Sequence, residues 1–338
     1  MNYIKPKYLE KGDLVGIVSP SSSIINFPRK QKRGVKALED LDLRVVLGKS
    51  VKNAFGHNTG TPEERVVGIN NFFSDNNVKV IISSTGGYNT NSVLPFIDFN
   101  LIKKHPKIFC GFSGITVLNL AINTQTKLVT FNGPTVLPTL SEFEGFFDYT
   151  IHYFKKALFE PRPMGKLKYF DKFTEEVLWW ETEDNKKRKL VLVNPPKVIY
   201  SGFAEGILWG GNLETLGFLL GTKYVECPDK SILFLEEEGG STADVERKLT
   251  YLEQLGIFKK IKGLIFGRTC NLFINSKDRS LCDILLYFAK KYNIPVIADV
   301  DCGHINPMIT FPVGVRIILN IENDPEIIFT ESATIKNL

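Results

Sequence analysis

No stretch of this 338-residue chain is apolar for long enough to cross a bilayer, and its opening, MNYIKPKYLEKGD, lacks the apolar core of a secretory signal. The expectation is a cytoplasmic protein with no membrane partner. Cysteine is scarce and badly placed for bridging: Cys110, Cys227, Cys270, Cys282 and Cys302 are odd in number, scattered and never spaced C-x-x-C. That argues against both a disulfide framework and a zinc knuckle. No G-x-G-x-x-G or Walker pattern occurs, which counts against a nicotinamide or nucleotide enzyme. The net charge of +5 is modest for this length and the lysines form no basic stripe interleaved with aromatics, so no nucleic-acid partner is expected. Histidine is rare as well, with four in the whole chain, which makes the search for a catalytic base short.

What is present reads as a globular α/β protein. Hydrophobic residues at 43% and charged ones at 23% exclude disorder, and the length suits two domains better than one core. In the first half, DLVGIVSPSS, LRVVLGKS and VKVIISSTGG are short apolar strands. Between them lie the helical patterns PRKQKRGVKALEDL and TPEERVVGINNFFSD, the latter with Pro62 at its opening. That alternation predicts a parallel sheet covered on both faces, with ligands at the carboxyl ends of its strands. We assign residues 1–160 to this domain. From 161 to 200 the periodicity fails around Trp179 and Trp180, which marks an interdomain crossover and substrate loop. Residues 201–338 read as a second α/β domain with several short strands, in which Ser241 and Asp244 open a helix.

The segment KIFCGFSGITVLNLAI reads as a strand, a glycine-tight corner carrying Ser113, and a buried helix. Such a corner lifts a serine out of the backbone beside the unsatisfied N–H groups of a helix start, although Ile115 stands where a G-x-S-x-G elbow has its last glycine. A plain strand-to-helix turn fits the same residues. A serine nucleophile needs a base, and imidazole is the usual one. His57 and His105 read as loop and helix-end residues and His152 as packing. His304 follows a strand in a loop closed by Pro307 and Pro312, where it serves as a base or as a buried loop histidine. A carboxylate to steady that imidazole is available at the end of SILFL, where Glu236 and Glu238 alternate to one side and Glu237 to the other. No residue cluster calls for a metal. Gly86 and Gly87 end the strand VKVIISST and admit either close ligand approach or a simple turn. Asn212, after Gly210 and Gly211, is either a helix N-cap or a substrate contact.

Together, SSTGGYNTNSVLPFIDF, KIFCGFSGIT, SILFLEEEGG and DVDCGHINPMITFPVGVRIIL resemble the serine-peptidase family that contains LD-carboxypeptidases and the microcin C immunity peptidases, in order from Gly12 to about Leu319. The resemblance implies a Rossmann-like N-terminal parallel-sheet domain and a C-terminal domain with a mixed, barrel-like sheet. It implies a Ser-Glu-His triad of Ser113, Glu236 and His304, and an oxyanion hole made by the backbone N–H groups of Gly87 and Gly114. It implies substrate contacts from Gly86, Trp180 and Asn212, no cofactor, and a homodimer. GGYNTNSVLP and the Trp179–Trp180 segment are most similar to the microcin C immunity branch, where a tryptophan stacks on the nucleotide part of an aminoacyl-nucleotide. The implied activity is a peptidase or amidase acting on such a molecule or on a small peptide with a free carboxylate, with trimming of murein tetrapeptide as the alternative. Gly114 departs from the aspartate that usually follows the nucleophile in this family, and that departure keeps open a homologue that binds without catalysing.

Overall fold

β-Branched and aromatic runs set the strands. LVGIV, VKVIIS and IFCG bury nearly every side chain, as strands covered on both faces must. The computed structural model describes residues 3–269, 272–273, 277–322 and 325–336. In its first sheet the strand order is Phe311–Val313, Thr130–Asn132, Ile108–Gly111, Val78–Ser83, Leu14–Val18 and Arg44–Leu47. The last five pair in parallel, with helices such as Pro28–Glu39 and Pro62–Ser74 as crossovers. Thr61 opens the second of these with a capping box to Glu64, and Pro62 costs nothing there because its missing N–H would have no helical partner. Phe311–Val313 arrives from far down the chain and closes the edge antiparallel to Thr130–Asn132.

The second sheet has eight strands and is mixed. Gly202–Asn212, Ser231–Glu236, Ile261–Gly267 and Val296–Val300 run parallel at its centre, and antiparallel strands flank them. The helix Thr242–Gln254 is opened by the expected capping box between Ser241 and Asp244. The segment between 161 and 200 carries little regular structure, with Lys172–Phe173 paired to Val191–Leu192. It is tied to the first domain by ion pairs on buried Glu142, Asp184 and Lys30: half-buried Arg188 to Glu142, and Asp184 to half-buried Arg33 and, at 3.5 Å, to Lys30. Cys110, Cys227, Cys282 and Cys302 are free thiols, and Cys270 lies outside the described residues. Among the described residues, no helix is long and apolar enough to cross a membrane.

Candidate active site

The strand Ile108–Gly111 is buried throughout and stops at a corner where Ser113 adopts φ of 62°, a left-handed value that an L-residue reaches only at a cost of about 1 kcal/mol. A single 3-10 turn, Ser113–Ile115, leads into the helix Thr116–Thr126, whose apolar residues are buried. Rigid elements on both sides hold the serine in that conformation, which turns its side chain out of the strand-to-helix connection. Thr116 ties this helix to the second sheet, because its Oγ1 accepts a 3.0 Å hydrogen bond from the N–H of Asn212. Asn212 in turn pairs in register with Glu236, so the ends of two central strands of the second sheet face the Ser113 corner.

His304 bridges the two. Its Nε2 lies 2.9 Å from Ser113 Oγ and its Nδ1 2.7 Å from Glu236 Oε2. Glu236 is fully buried, and Gly303, at φ of 93°, leaves the space that the carboxylate fills: a Cβ there would meet Glu236 directly. Alternation separates the three glutamates as their spacing requires. Glu237 turns away to Lys248 at 2.7 Å, while exposed Glu238 stands 3.6 Å from His304 Nε2. Burial by itself would push the imidazole pKa down, but the negative field of Glu236, with Glu238 and Glu237 behind it, overrides this and raises it to about 9. Chemically, the group can take a proton from the serine when neutral and is strongly stabilised once cationic.

The other histidines lie elsewhere. His57 is exposed and meets the Asn89 amide, His105 caps the helix Phe99–Lys104, and His152 is largely exposed, edge-on to Tyr153, where buried packing was expected. Gly86 and Gly87 stand beside the serine: a Cβ on Gly86 would come within 2.9 Å of Ser113 Oγ. The N–H of Gly87 has no hydrogen-bond partner among the described residues. A cleft of about 510 Å³ opens over Ser113, lined by Gly87, Gly114, Trp180, Asn212 and His304. Half-buried Trp180 packs edge-on to Phe27, with Lys30 Nζ 5.2 Å from its ring, whereas Trp179 is exposed. Asn212 caps the short helix Leu213–Gly217 through Oδ1 and is buried at the cleft wall, so the N-cap reading holds without removing it from the cleft. Sequence reasoning missed Tyr88 and Phe218, two exposed aromatics on the cleft, and the serines behind Gly87; aromatic residues adjoining a glycine turn were the available signal.

Comparison with known proteins finds relatives over nearly the whole chain. Residues 15–133 match the model of the LD-carboxypeptidase N-terminal domain in peptidase family S66, and residues 205–319 match its C-terminal domain. The chain is 32% identical to a Bacillus subtilis protein named "Probable murein peptide carboxypeptidase", over 95% of this chain and 92% of that one. It is 31% identical to the microcin C7 self-immunity protein MccF of Escherichia coli, over 93% and 92%. The solved structure of MccF in complex with glutamyl sulfamoyl guanosine superposes with a TM-score of 0.90 at 31% identity, covering 98% of this chain and 99% of that one.

Proposed function

Given that this chain belongs to the LD-carboxypeptidase family of serine peptidases, we propose that it hydrolyses an amide through Ser113, His304 and Glu236. The observation that carries the reading is the continuous relay from carboxylate to imidazole to hydroxyl, 2.7 and 2.9 Å long. Neutral His304 takes the Ser113 proton at Nε2 as Oγ attacks the carbonyl carbon. The oxyanion is received by the N–H groups of Gly87 and Gly114, and Glu236 stabilises the imidazolium. Collapse breaks the C–N bond, and His304 returns its proton to the leaving nitrogen. Water then attacks the acyl ester, His304 takes the water proton, and Ser113 is regenerated.

For substrate, we favour an aminoacyl-nucleotide or a small peptide with a free carboxylate, in the cytoplasm. Trp180, at the cleft wall beside His304, offers a face for a planar base, and Asn212 and Gly86 supply polar contacts. Likeness to MccF, solved with glutamyl and aspartyl sulfamoyl nucleosides, supports the same choice. Comparable likeness to the Bacillus subtilis protein named "Probable murein peptide carboxypeptidase" supports a second reading, release of the terminal D-alanine from murein tetrapeptide. Side-by-side hydrolysis of an aminoacyl-sulfamoyl adenosine and murein tetrapeptide separates the two. Ser113→Ala is expected to abolish turnover and labelling by a fluorophosphonate; turnover at the parental rate would refute the mechanism.

A further inference from the structure

Gly114 follows Ser113 where the resemblance drawn from the sequence implies an aspartate, and the simplest expectation is a weakened enzyme. The structure points the other way. Position 114 is not left-handed, since the positive φ at this corner belongs to Ser113, so the backbone itself would accept a side chain there. What excludes one is a neighbour: a Cβ on Gly114 would fall on the carbonyl oxygen of Gly87 and within 3.0 Å of that residue's C and N atoms. Gly87 is equally confined from behind. At φ of 122° its own Cβ would strike Ser22 Oγ and come within 3.0 Å of Ser21 Oγ. Two hydrogen bonds hold the turn in that position: Ser22 N–H donates to Gly86 O at 3.2 Å, and Ser21 Oγ donates to Tyr88 O at 2.7 Å. The serine-rich turn after the first strand therefore presses Gly86–Tyr88 onto the nucleophile corner, and the bare Cα of residue 114 receives it.

We propose that Gly114 and the Ser21–Ser22 turn are a matched pair of positioning elements that set the depth of the Gly87 N–H beside Ser113, so that glycine at 114 is required for this chain's catalysis and the family's aspartate would impair it. This rests on the hydrolase reading above. An aspartate at 114 needs the whole of Gly87 to withdraw, since its Cβ would crowd both the carbonyl oxygen and, at 3.0 Å, the nitrogen, and this takes the Gly87 N–H away from the place where the oxyanion forms. An oxyanion donor acts mainly on the transition state, so the loss falls on kcat and leaves KM nearly unchanged.

The test compares Gly114→Ala, Gly114→Asp and Ser21→Ala with the parent by steady-state hydrolysis of aminoacyl-sulfamoyl adenosine or murein tetrapeptide, whichever the parent cleaves, by the rate of fluorophosphonate labelling at Ser113, and by Tm. Alanine adds only the forbidden methyl and separates crowding from charge. Expected are a fall in kcat of roughly tenfold for Gly114→Ala and roughly 100-fold or more for Gly114→Asp, the size of a lost oxyanion donor. Ser21→Ala should show a smaller fall, and KM should stay within about threefold throughout. Folded Gly114→Asp with parental or higher kcat and labelling rate would overturn the proposal. If that variant does not fold, parental kcat in both Gly114→Ala and Ser21→Ala would do the same. A parent that neither labels nor hydrolyses anything would instead sink the hydrolase reading beneath it.

Discussion

Replacing Glu236 by glutamine removes one charge from the relay and almost nothing else, because the side chain is fully buried, contacts His304 through Oε2 and leaves Oε1 without a partner. The rise of the His304 pKa from 6.5 to about 9, in which burial pulls down and Glu236, then Glu238 and Glu237, push up, corresponds to about 3 kcal/mol of net stabilisation of the imidazolium, most of its upward part owed to Glu236. That cation forms as Ser113 is acylated, so a transition state that realises the whole amount loses roughly 100-fold in rate. An amide that also leaves the imidazole tautomer unfixed can bring the loss to about 10⁴-fold. The deficit must depend on pH with a definite sign. At neutral pH the parent's His304 is mostly protonated and idle, while the variant's is mostly neutral, which offsets part of the loss. Near pH 10 both are neutral and the full difference appears. Stability follows the linked rule for a raised pKa: the pair's contribution is complete below 6.5 and disappears as pH rises through about 9. The Tm gap between parent and Glu236→Gln should therefore narrow over that window. Kinetics of the two proteins from pH 6 to 10, with thermal unfolding at each pH, provide the check. A loss under tenfold at pH 10, or one larger at pH 7 than at pH 10, would refute the reasoning.

Two further outcomes are expected. The acidic limb of kcat/KM should lie above the ordinary histidine range, toward 9, and Glu238→Gln should move it to lower pH, because exposed Glu238 adds negative field 3.6 Å from Nε2; a limb unmoved by Glu238→Gln would show that solvent screens this carboxylate fully. Asp184→Asn strips the counter-charge from Arg33 and from buried Lys30, whose pKa burial pushes down. It should cost about 3 kcal/mol, lower Tm and raise KM, since the same segment carries Trp180; an unchanged Tm would count against the ion pairs as its tether.

Local chemistry was legible in the sequence. Ser241 with Asp244, Pro62 at a helix start and the alternation of Glu236, Glu237 and Glu238 each depend on side chains a few residues apart, and each appears as its spacing implies. The strand, corner and helix around Ser113 were legible for the same reason, whereas the left-handed backbone at the serine was not. Choosing Glu236 over its neighbours needed the family pattern, because alternation leaves Glu236 and Glu238 on one side and only burial decides between them. The clamp around Gly87 was hidden. It joins Ser21, Ser22 and Gly114, which meet only after the sheet has brought three strand ends together.

The relay itself is fixed by a connection that no local pattern announces. Ser113 sits just beyond Ile108–Gly111, and His304 lies a few residues before Phe311–Val313. Those two strands flank Thr130–Asn132 in one sheet, with Gly111 and Phe311 both in register with Asn132. The base-bearing loop, although it leaves a strand of the second sheet, is thus anchored by its far end in the sheet that carries the nucleophile. Glu236 and the strand before that loop hold its near end in the second sheet. The pairing of Phe311–Val313 with Thr130–Asn132 thus ties the loop that carries His304 to the sheet that carries Ser113. The Trp180 wall of the cleft is held differently, by ion pairs and an irregular segment rather than by a sheet.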